Sequence, residues 1–293
     1  MSFQTFMAEW QTLNASVEAL AAIGAELRLQ YEGLDGDPRV RALLREVADQ
    51  IKPGLFDDLN QNQQRTALAL IQTSLRQALD LVEDPARAPG WRYEDPVILQ
   101  SQGQASRMIV RNIEVIATQR PEFGAALKEL GVLLDVGTGV GWLAIEAAST
   151  WPALRVVGID AWEPALRLAR ENLRQSSVHD RIDFRLQPIE LLNDNAAFTL
   201  AWLPAPFIPK EMVTTALQRI YQALVPGGWL VVGLYAQPSS AIGKALANLR
   251  TVRGGGHPWT TEQLEEQLRA SGFKAVETLS PTTPAVLVVI GRS

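Results

Sequence analysis

Hydrophobic positions in the first hundred residues recur every three or four residues, which is the period of an α-helix. The pair Asp37-Pro38 is typical of a helix start, because aspartate caps the first turn and proline suits the first helical position. No β-branched strand pattern precedes residue 130. We therefore expect an all-helical domain over residues 1–104. Its apolar segments lie at 13–27, 40–51 and 68–82, its loops at 32–36, 52–59 and 83–90, and a further helix is predicted over about Ala105–Gln119.

From residue 131 the pattern changes to short apolar runs that alternate with helical segments. This alternation is typical of a mostly parallel α/β sheet with helices on both faces. The last two predicted strands, Ala275–Leu279 and Ala285–Ile290, are joined only by residues around Pro281–Pro284, so they must be antiparallel. The second predicted domain spans residues 105–293. Its other strands are predicted at 132–136, 155–160, 182–186, 198–203 and 229–235, and its helices at 143–149, 164–175, 211–224, 240–249 and 261–270.

Composition excludes several classes of function. The 27 basic and 32 acidic residues give a net charge of −5, which argues against bulk electrostatic binding to nucleic acid or to an anionic membrane. No cysteine and only two histidines are present, so we predict no metal site. No apolar run approaches the roughly 20 residues of a membrane span, and the first ten residues lack a signal pattern. The expected location is the cytoplasm.

The segment Leu133–Trp142 joins a buried strand to a helix through a glycine-rich turn, Gly137-Thr138-Gly139-Val140-Gly141. Such glycines permit positive φ and let a ligand contact the backbone at the helix N-terminus. The next predicted strand ends at Asp160, where a carboxylate can accept both hydroxyls of a ribose. The pattern therefore predicts a nucleoside site, although a turn that serves packing alone is an alternative.

Two nucleotide-binding motifs are excluded at this turn. A dinucleotide fingerprint requires a third glycine at position 142, which is tryptophan, and a P-loop requires Gly-Lys-Ser/Thr. Asp135, which precedes the turn, would repel a pyrophosphate. It suits a ligand that carries an ammonium group.

Asp135 to Trp142, Asp160 and the terminal antiparallel pair together resemble a class I S-adenosylmethionine-dependent methyltransferase over residues 131–293. Pro226-Gly227-Gly228 and Ser271-Gly272-Phe273 match the family's entries to its fifth and sixth strands. The resemblance implies a Rossmann-like, seven-stranded, mostly parallel sheet with an antiparallel last strand next to the fifth. It also implies S-adenosyl-L-methionine as cofactor and S-adenosyl-L-homocysteine as product.

The resemblance further implies roles for individual residues. Gly137 and Gly139 would pass under the methionine part, Asp135 would hold its amino group, and Asp160 would hold the ribose hydroxyls. Many family members carry an acid at about the position of Pro188, where it holds the adenine amine. This chain has proline there, so Gln187 or backbone groups would have to replace that contact. The alternatives are that Trp162 packs on its own helix and that Gln187 only ends a strand. The implied cofactor-binding residues are Asp135, Gly137, Thr138, Gly139, Gly141, Asp160, Ala161, Trp162, Gln187 and Ile189.

The segment after the fourth predicted strand is apolar and stiffened by prolines. Families that methylate base amines or glutamine amides carry a polar residue before Pro-Pro here, whereas this chain has Leu203-Pro204-Ala205. His257, in a glycine-rich loop, is the candidate general base, because histidine titrates near neutral pH; a role in starting the next helix is its alternative. His179 is interpreted as a solvated loop residue. The predicted substrate-side and lid residues are Tyr93, Gln100, Gln102, Trp202, Pro204 and Phe207.

The first functional hypothesis is methyl transfer to a small, partly apolar metabolite, with oxygen favoured over nitrogen, sulfur or carbon. Alternatives are a non-methylating enzyme of natural-product biosynthesis on the same fold, a protein methyltransferase, and a binding scaffold. No general base is required if the nucleophile arrives deprotonated. The N-terminal helices are open to three roles: a lid, a homodimer interface, or additional core.

Overall fold

The computed structural model describes residues 2–128, 131–235, 238–279 and 286–292. The chain divides into two units, of which the first comprises residues 1–85 and 100–105 and the second residues 86–99 and 106–293. No helix among the described residues is both long enough and apolar enough to cross a membrane.

Besides residues 100–105, the first unit contains helices α1 (Phe3–Tyr31), α2 (Pro38–Ile51) and α3 (Gln61–Glu83). Each begins at a side chain that accepts a backbone N–H of the first turn, as expected for helix N-caps: Ser2, Asp37 and Asn60. Gly24 of α1 allows close packing, because a Cβ there would lie 2.9 Å from the side chain of Ile71 on α3. The predicted helical N-terminal region is confirmed.

The first helices of the second unit are α4 (Pro96–Gln119) and α5 (Pro121–Lys128). Residues 100–105 of α4 are assigned to the first unit. Strands and helices then alternate along the chain. Their bounds are β1 (Val132–Val136), α6 (Trp142–Thr150), β2 (Arg155–Asp160), α7 (Glu163–Arg174), β3 (Ile182–Leu186), β4 (Phe198–Pro204), α8 (Val213–Ala223), β5 (Leu224–Tyr235), α9 (Ala241–Arg253), α10 (Thr261–Ala270), β6 (Lys274–Leu279) and β7 (Val286–Arg292).

The sheet has the strand order β3-β2-β1-β4-β5-β7-β6. Strands β1 to β5 pair in parallel, and β7 is antiparallel to both β5 and β6. The predicted Rossmann-like α/β fold and the antiparallel pairing of the last two strands are thereby confirmed. The linking residues around Pro281–Pro284 lie outside the described residues.

The register of the sheet brings the candidate acids to one edge. Asp135 near the end of β1 is the partner of Gly158 on β2 and of Trp202 on β4. Asp160 ends β2, so both carboxylates lie at the carboxyl ends of neighbouring parallel strands. In open α/β sheets ligands bind in the crevice outside this edge.

Three elements differ from the sequence-based predictions. Helix α4 begins at Pro96 and not near Ala105, because the side chain of Asp95 caps Val97 and Pro96 starts the first turn. Gln100 and Gln102 are therefore helical and do not lie in a connecting segment, as predicted. The short helix α5 was not predicted. Strand β5 begins at Leu224 and not at Trp229, with a register irregularity opposite Phe198–Leu200.

Candidate functional site

The turn between β1 and α6 places three glycines in the left-handed region. Gly137, Gly139 and Gly141 have φ values of 65°, 58° and 79°. A Cβ on Gly139 would meet nothing nearer than the Gly137 carbonyl oxygen at 4.0 Å, so this backbone faces open space. A Cβ on Gly141 would lie only 2.5 Å from the ring of Phe184. Gly139 therefore leaves room for a ligand, whereas Gly141 allows the start of α6 to pack closely against Phe184 of β3.

Asp135 is buried below this turn, with 1% of its surface exposed. Its Oδ2 accepts a hydrogen bond of 2.6 Å from the Thr138 hydroxyl. Burial raises the pKa of Asp135 to about 7, with the Thr138 hydrogen bond opposing and the nearby Asp160 adding to the shift. The carboxyl group is therefore close to half ionised at neutral pH, and a ligand ammonium beside it would favour its ionised form.

Asp160 connects the glycine turn to the start of α7. Its two carboxylate oxygens accept hydrogen bonds of 2.8 Å from the N–H groups of Gly139 and Trp162. Burial raises the pKa of Asp160, and backbone donors, including that of Ala161, oppose this shift. A carboxylate has about four lone-pair positions, so acceptor capacity remains for hydroxyl donors of a ligand.

Trp162 is half-buried beneath the segment 86–99. Its indole N–H donates a 2.8 Å hydrogen bond to the Tyr93 carbonyl, and the ring packs near Leu99 and Val140. The Trp162 side chain therefore holds this segment against the end of β2. Whether it also flanks an adenine stays a prediction.

Gln187 and Ile189 follow β3 next to Asp160. The backbone N–H of Gln187 donates to the Asp160 carbonyl at 2.9 Å, and its side-chain amide donates to the Leu191 carbonyl at 3.0 Å. Ile189 packs against the core cluster on that face of the sheet. The Gln187 side chain is therefore folded back on its own loop, and its predicted adenine contact would require a different rotamer.

The other end of segment 86–99 lies against the loops after β4 and α9. The rings of Trp91 and Phe207 meet edge to face at 5.5 Å, and Phe207 contacts Tyr235 in the same way at 6.3 Å. The Gly90 N–H donates to the Arg253 carbonyl at 3.1 Å. Segment 86–99 therefore runs along the sheet edge, from the loop after β4 to Trp162 after β2. Aromatic side chains line the part of the segment that lies near β4.

His257 lies in the loop that follows α9 and is half-buried. Its ring contacts Trp259 edge to face at 4.6 Å, and a Cβ on the preceding Gly256 would clash with the Pro206 carbonyl, so the loop packs tightly on the segment after β4. Burial and the charge of Lys210 lower the pKa of His257. The lowered pKa favours the neutral imidazole, the state that a general base requires.

The remaining predicted residues occupy different environments. Pro204 lies beside Gly137, within 3.5 Å of a Cβ built there. Trp202 is 94% buried in the core, in space left by Gly233 on β5, so it packs the sheet and does not present its ring at the surface. Gln100 and Gln102 belong to the first unit. His179 is exposed, as predicted.

The structure adds two side chains that the sequence reasoning did not select. Arg107 of α4 lies over the Trp142 ring at 5.3 Å and donates two hydrogen bonds to Glu146 of α6, which anchors the helix that follows the glycine turn. Trp91 is the second; its signal was the local density of aromatic residues. Among the described residues no three His, Asp or Glu side chains form a group that could hold a metal ion.

Residues 133–228 match the family described as "Methyltransferase domain". The ribosomal protein L11 methyltransferase of Trichlorobacter lovleyi is 31% identical over 140 residues, 47% of this chain and 43% of that protein. The first curated relatives are matched over only 28% to 43% of their own length.

Solved structures resemble the whole chain. Human N-acetylserotonin methyltransferase, solved with S-adenosylmethionine, has a TM-score of 0.65 at 15% identity, with 100% of this chain and 98% of that chain covered. Mitomycin 7-O-methyltransferase has a TM-score of 0.61 at 16% identity, with 100% of each chain covered. At such identities the likeness shows the fold, including its N-terminal helical region.

Proposed function

Since residues 133–228 match the family described as "Methyltransferase domain", we propose that this protein transfers a methyl group from S-adenosylmethionine to a small, partly apolar metabolite, with oxygen as the favoured acceptor atom. The observation that carries the proposal is the pair of acids on either side of an open glycine turn, the buried Asp135 and the partly buried Asp160. In such a pair, Asp135 suits a cationic amino-acid tail and Asp160 suits a ribose.

The residues at this edge fit the cofactor. Gly139 leaves space above the turn for its amino-acid portion. Gly137 would pass under the same portion, and Asp135 would hold the ammonium. Asp160 keeps acceptor capacity for the ribose hydroxyls after binding two backbone donors. Ala161, Trp162, Gln187 and Ile189 are proposed to border the adenine. When bound, the cofactor supplies the methyl group from its sulfonium, and alignment of the acceptor is the protein's main contribution.

The acceptor side is proposed to lie between the apolar segment after β4 and the loop of His257. Pro204 and Phe207 would form its wall, Trp91 and Tyr93 its cover, and His257 would take the hydroxyl proton. The lowered pKa of His257 supports this role, since the neutral ring can accept a proton at pH 7. The lid role of the N-terminal helices, including Gln100 and Gln102, stays a prediction from the sequence.

A protein substrate is the second candidate, because the match to a ribosomal protein L11 methyltransferase favours it. Against it stands the apolar sequence Leu203-Pro204-Ala205, which lacks the polar residue that would orient an amide. A non-methylating reaction on the same fold is a third outcome to be tested.

One labelling experiment separates these functions. The purified protein is incubated with trideuteromethyl S-adenosylmethionine and a cell extract, and the small molecules and the proteins are then analysed separately by mass spectrometry. We expect the label in a small molecule, bound through oxygen. The matched control is Asp160→Ala, in which labelling should be lost.

Two results would contradict the proposal. Label in the protein fraction alone would favour a protein methyltransferase. Cofactor consumption or substrate conversion without label in any product would favour a non-methylating enzyme.

A further inference from the structure

The side chain of Thr138 lies inside the glycine turn, with 6% of its surface exposed. Its hydroxyl donates the 2.6 Å hydrogen bond to Oδ2 of Asp135, near the end of β1. This distance is typical of a hydroxyl that donates to an ionised carboxylate. The hydroxyl therefore acts on Asp135, the acid that is proposed to hold the cofactor ammonium.

The backbone of Thr138 is fixed by two hydrogen bonds. Its N–H donates to the Ile159 carbonyl of β2 at 3.0 Å, and its carbonyl accepts the Gly141 N–H at 2.9 Å. Threonine is also restricted at χ1, because its Cβ is branched. The hydroxyl therefore has a defined position relative to the carboxylate that it contacts.

Gly158 of β2 provides the space in which the Thr138 hydroxyl lies. It is the register partner of Asp135 in the parallel pairing of β1 with β2. A Cβ at this position would lie 2.7 Å from the Thr138 hydroxyl oxygen and 2.8 Å from the ring of Phe184. A larger residue would therefore displace the hydroxyl or the ring. Gly158 lies outside the glycine-rich turn, so its connection to Asp135 follows from strand pairing and not from the motif.

We propose that Thr138 is a positioning residue, which holds the Asp135 carboxylate as a hydrogen-bond acceptor oriented for the ammonium group of the ligand. This role rests on the proposed function, because the cofactor supplies that ammonium. A carboxylate has about four lone-pair positions, so Asp135 keeps acceptor capacity after it binds the Thr138 hydroxyl. A hydrogen bond donated to the ionised form also stabilises that form.

The rival role is a direct hydrogen bond from the Thr138 side chain to the cofactor. A hydroxyl has one hydrogen to donate, and in this structure Asp135 accepts it. The side chain is also more than nine-tenths buried. Both observations favour an effect of Thr138 that is transmitted through Asp135.

The pKa of Asp135 in the ligand-free protein is the first readout. Carbon-13 NMR of labelled aspartate carboxyl groups measures it, and the signal is assigned by its loss in Asp135→Asn. Thr138→Val keeps the branched shape but lacks the hydroxyl, so the pKa of Asp135 should rise by about one pH unit from its value of about 7. Thr138→Ser keeps the hydroxyl and should leave this pKa close to that of the parent protein.

Thr199→Val is the matched control. Thr199 of β4 is also a partly buried threonine of the sheet, but its hydroxyl accepts the Val132 N–H at 3.0 Å, at the opposite end of β1 from Asp135. Its replacement removes a hydroxyl of the same kind without touching the carboxylate. The pKa of Asp135 should therefore stay unchanged in this variant.

The affinity for S-adenosylhomocysteine at two pH values is the second readout. A rise of the pKa from about 7 to about 8 lowers the ionised fraction of Asp135 at pH 7 from about one half to about one eleventh, so Thr138→Val should bind about five-fold more weakly. At pH 9 at least about nine-tenths is ionised in both proteins, so their affinities should nearly coincide. A merely structural role would lower the affinity by the same factor at both pH values.

An unchanged pKa of Asp135 in Thr138→Val, with thermal melting that matches the parent protein, would overturn the proposal. So would a Thr138→Ser variant that behaves like Thr138→Val, because the hydroxyl would then not be the acting group. Should Thr138→Val fail to fold, Thr138→Ala lacks the same hydroxyl and should show the same rise. No binding of S-adenosylhomocysteine to the parent protein would instead contradict the proposed function, which the ligand-free pKa measurement does not require.

Discussion

The ionisation of Asp135 predicts how cofactor affinity depends on pH. Burial raises the pKa of this carboxyl to about 7, so it is largely protonated at pH 5 and about half ionised at pH 7. Only the ionised form attracts the cofactor ammonium. Between pH 7 and pH 5 the ionised fraction falls from about one half to about one hundredth, so affinity for S-adenosylhomocysteine should fall by about 50-fold.

Calorimetric titrations at several pH values, in buffers of different ionisation enthalpy, provide the assay. Binding at pH 6 should release close to one proton, because the ammonium stabilises ionised Asp135. The control Asp135→Asn should bind weakly and lose this proton release. The pKa of Asp160 is also raised, so some pH dependence should persist in that variant. Equal affinity of the parent protein at pH 5 and pH 7 would refute the reasoning.

The same carboxyl affects stability without ligand. In the unfolded chain Asp135 ionises near its ordinary pKa of 3.8, whereas in the folded protein it does so near 7. The folded state therefore binds more protons between these values, and the free energy of unfolding should decrease as pH rises from about 4 to about 7. Urea titrations of the parent protein and of Asp135→Asn check this, since the variant should lack the part of the decrease that Asp135 contributes, whereas the part from the raised pKa of Asp160 should remain.

Three further substitutions separate folding from function. Gly141→Ala should cost about 2 kcal/mol of stability in thermal melts, because its Cβ would meet Phe184. Gly139→Ala should cost about 1 kcal/mol and should chiefly weaken S-adenosylhomocysteine binding. Equal effects of the two variants on stability and on binding would contradict the different roles of the two glycines. His257→Gln should lower kcat by about 100-fold and leave cofactor affinity unchanged, whereas an unaltered kcat would assign His257 a packing role only.

Much of the second unit could be predicted because its signals are local. The apolar runs at β1, β2 and β3 end where the structure ends them, since glycine, proline and charged residues interrupt them. The short link before β7 also fixed its antiparallel direction, because no crossover fits so few residues. Such features depend on neighbouring residues along the chain.

Features that depend on distant residues could not be predicted. Trp202 resembled a wall residue, but Gly233 on the neighbouring strand leaves the space that buries its ring. Gly141 belongs to the glycine pattern, yet its lack of a side chain makes room for the ring of Phe184. The start of α4, in contrast, has a local signal, since Asp95-Pro96 repeats the pattern of Asp37-Pro38.

The ribose contact of Asp160 tests the central claim most directly. Calorimetric titration of the parent protein with S-adenosylhomocysteine should give a dissociation constant in the micromolar range, and Asp160→Ala should weaken it by at least about 100-fold, since two charge-assisted hydrogen bonds are lost. No binding to the parent protein at millimolar ligand, or equal affinity of the two proteins, would contradict a nucleoside held at the ends of β1 and β2.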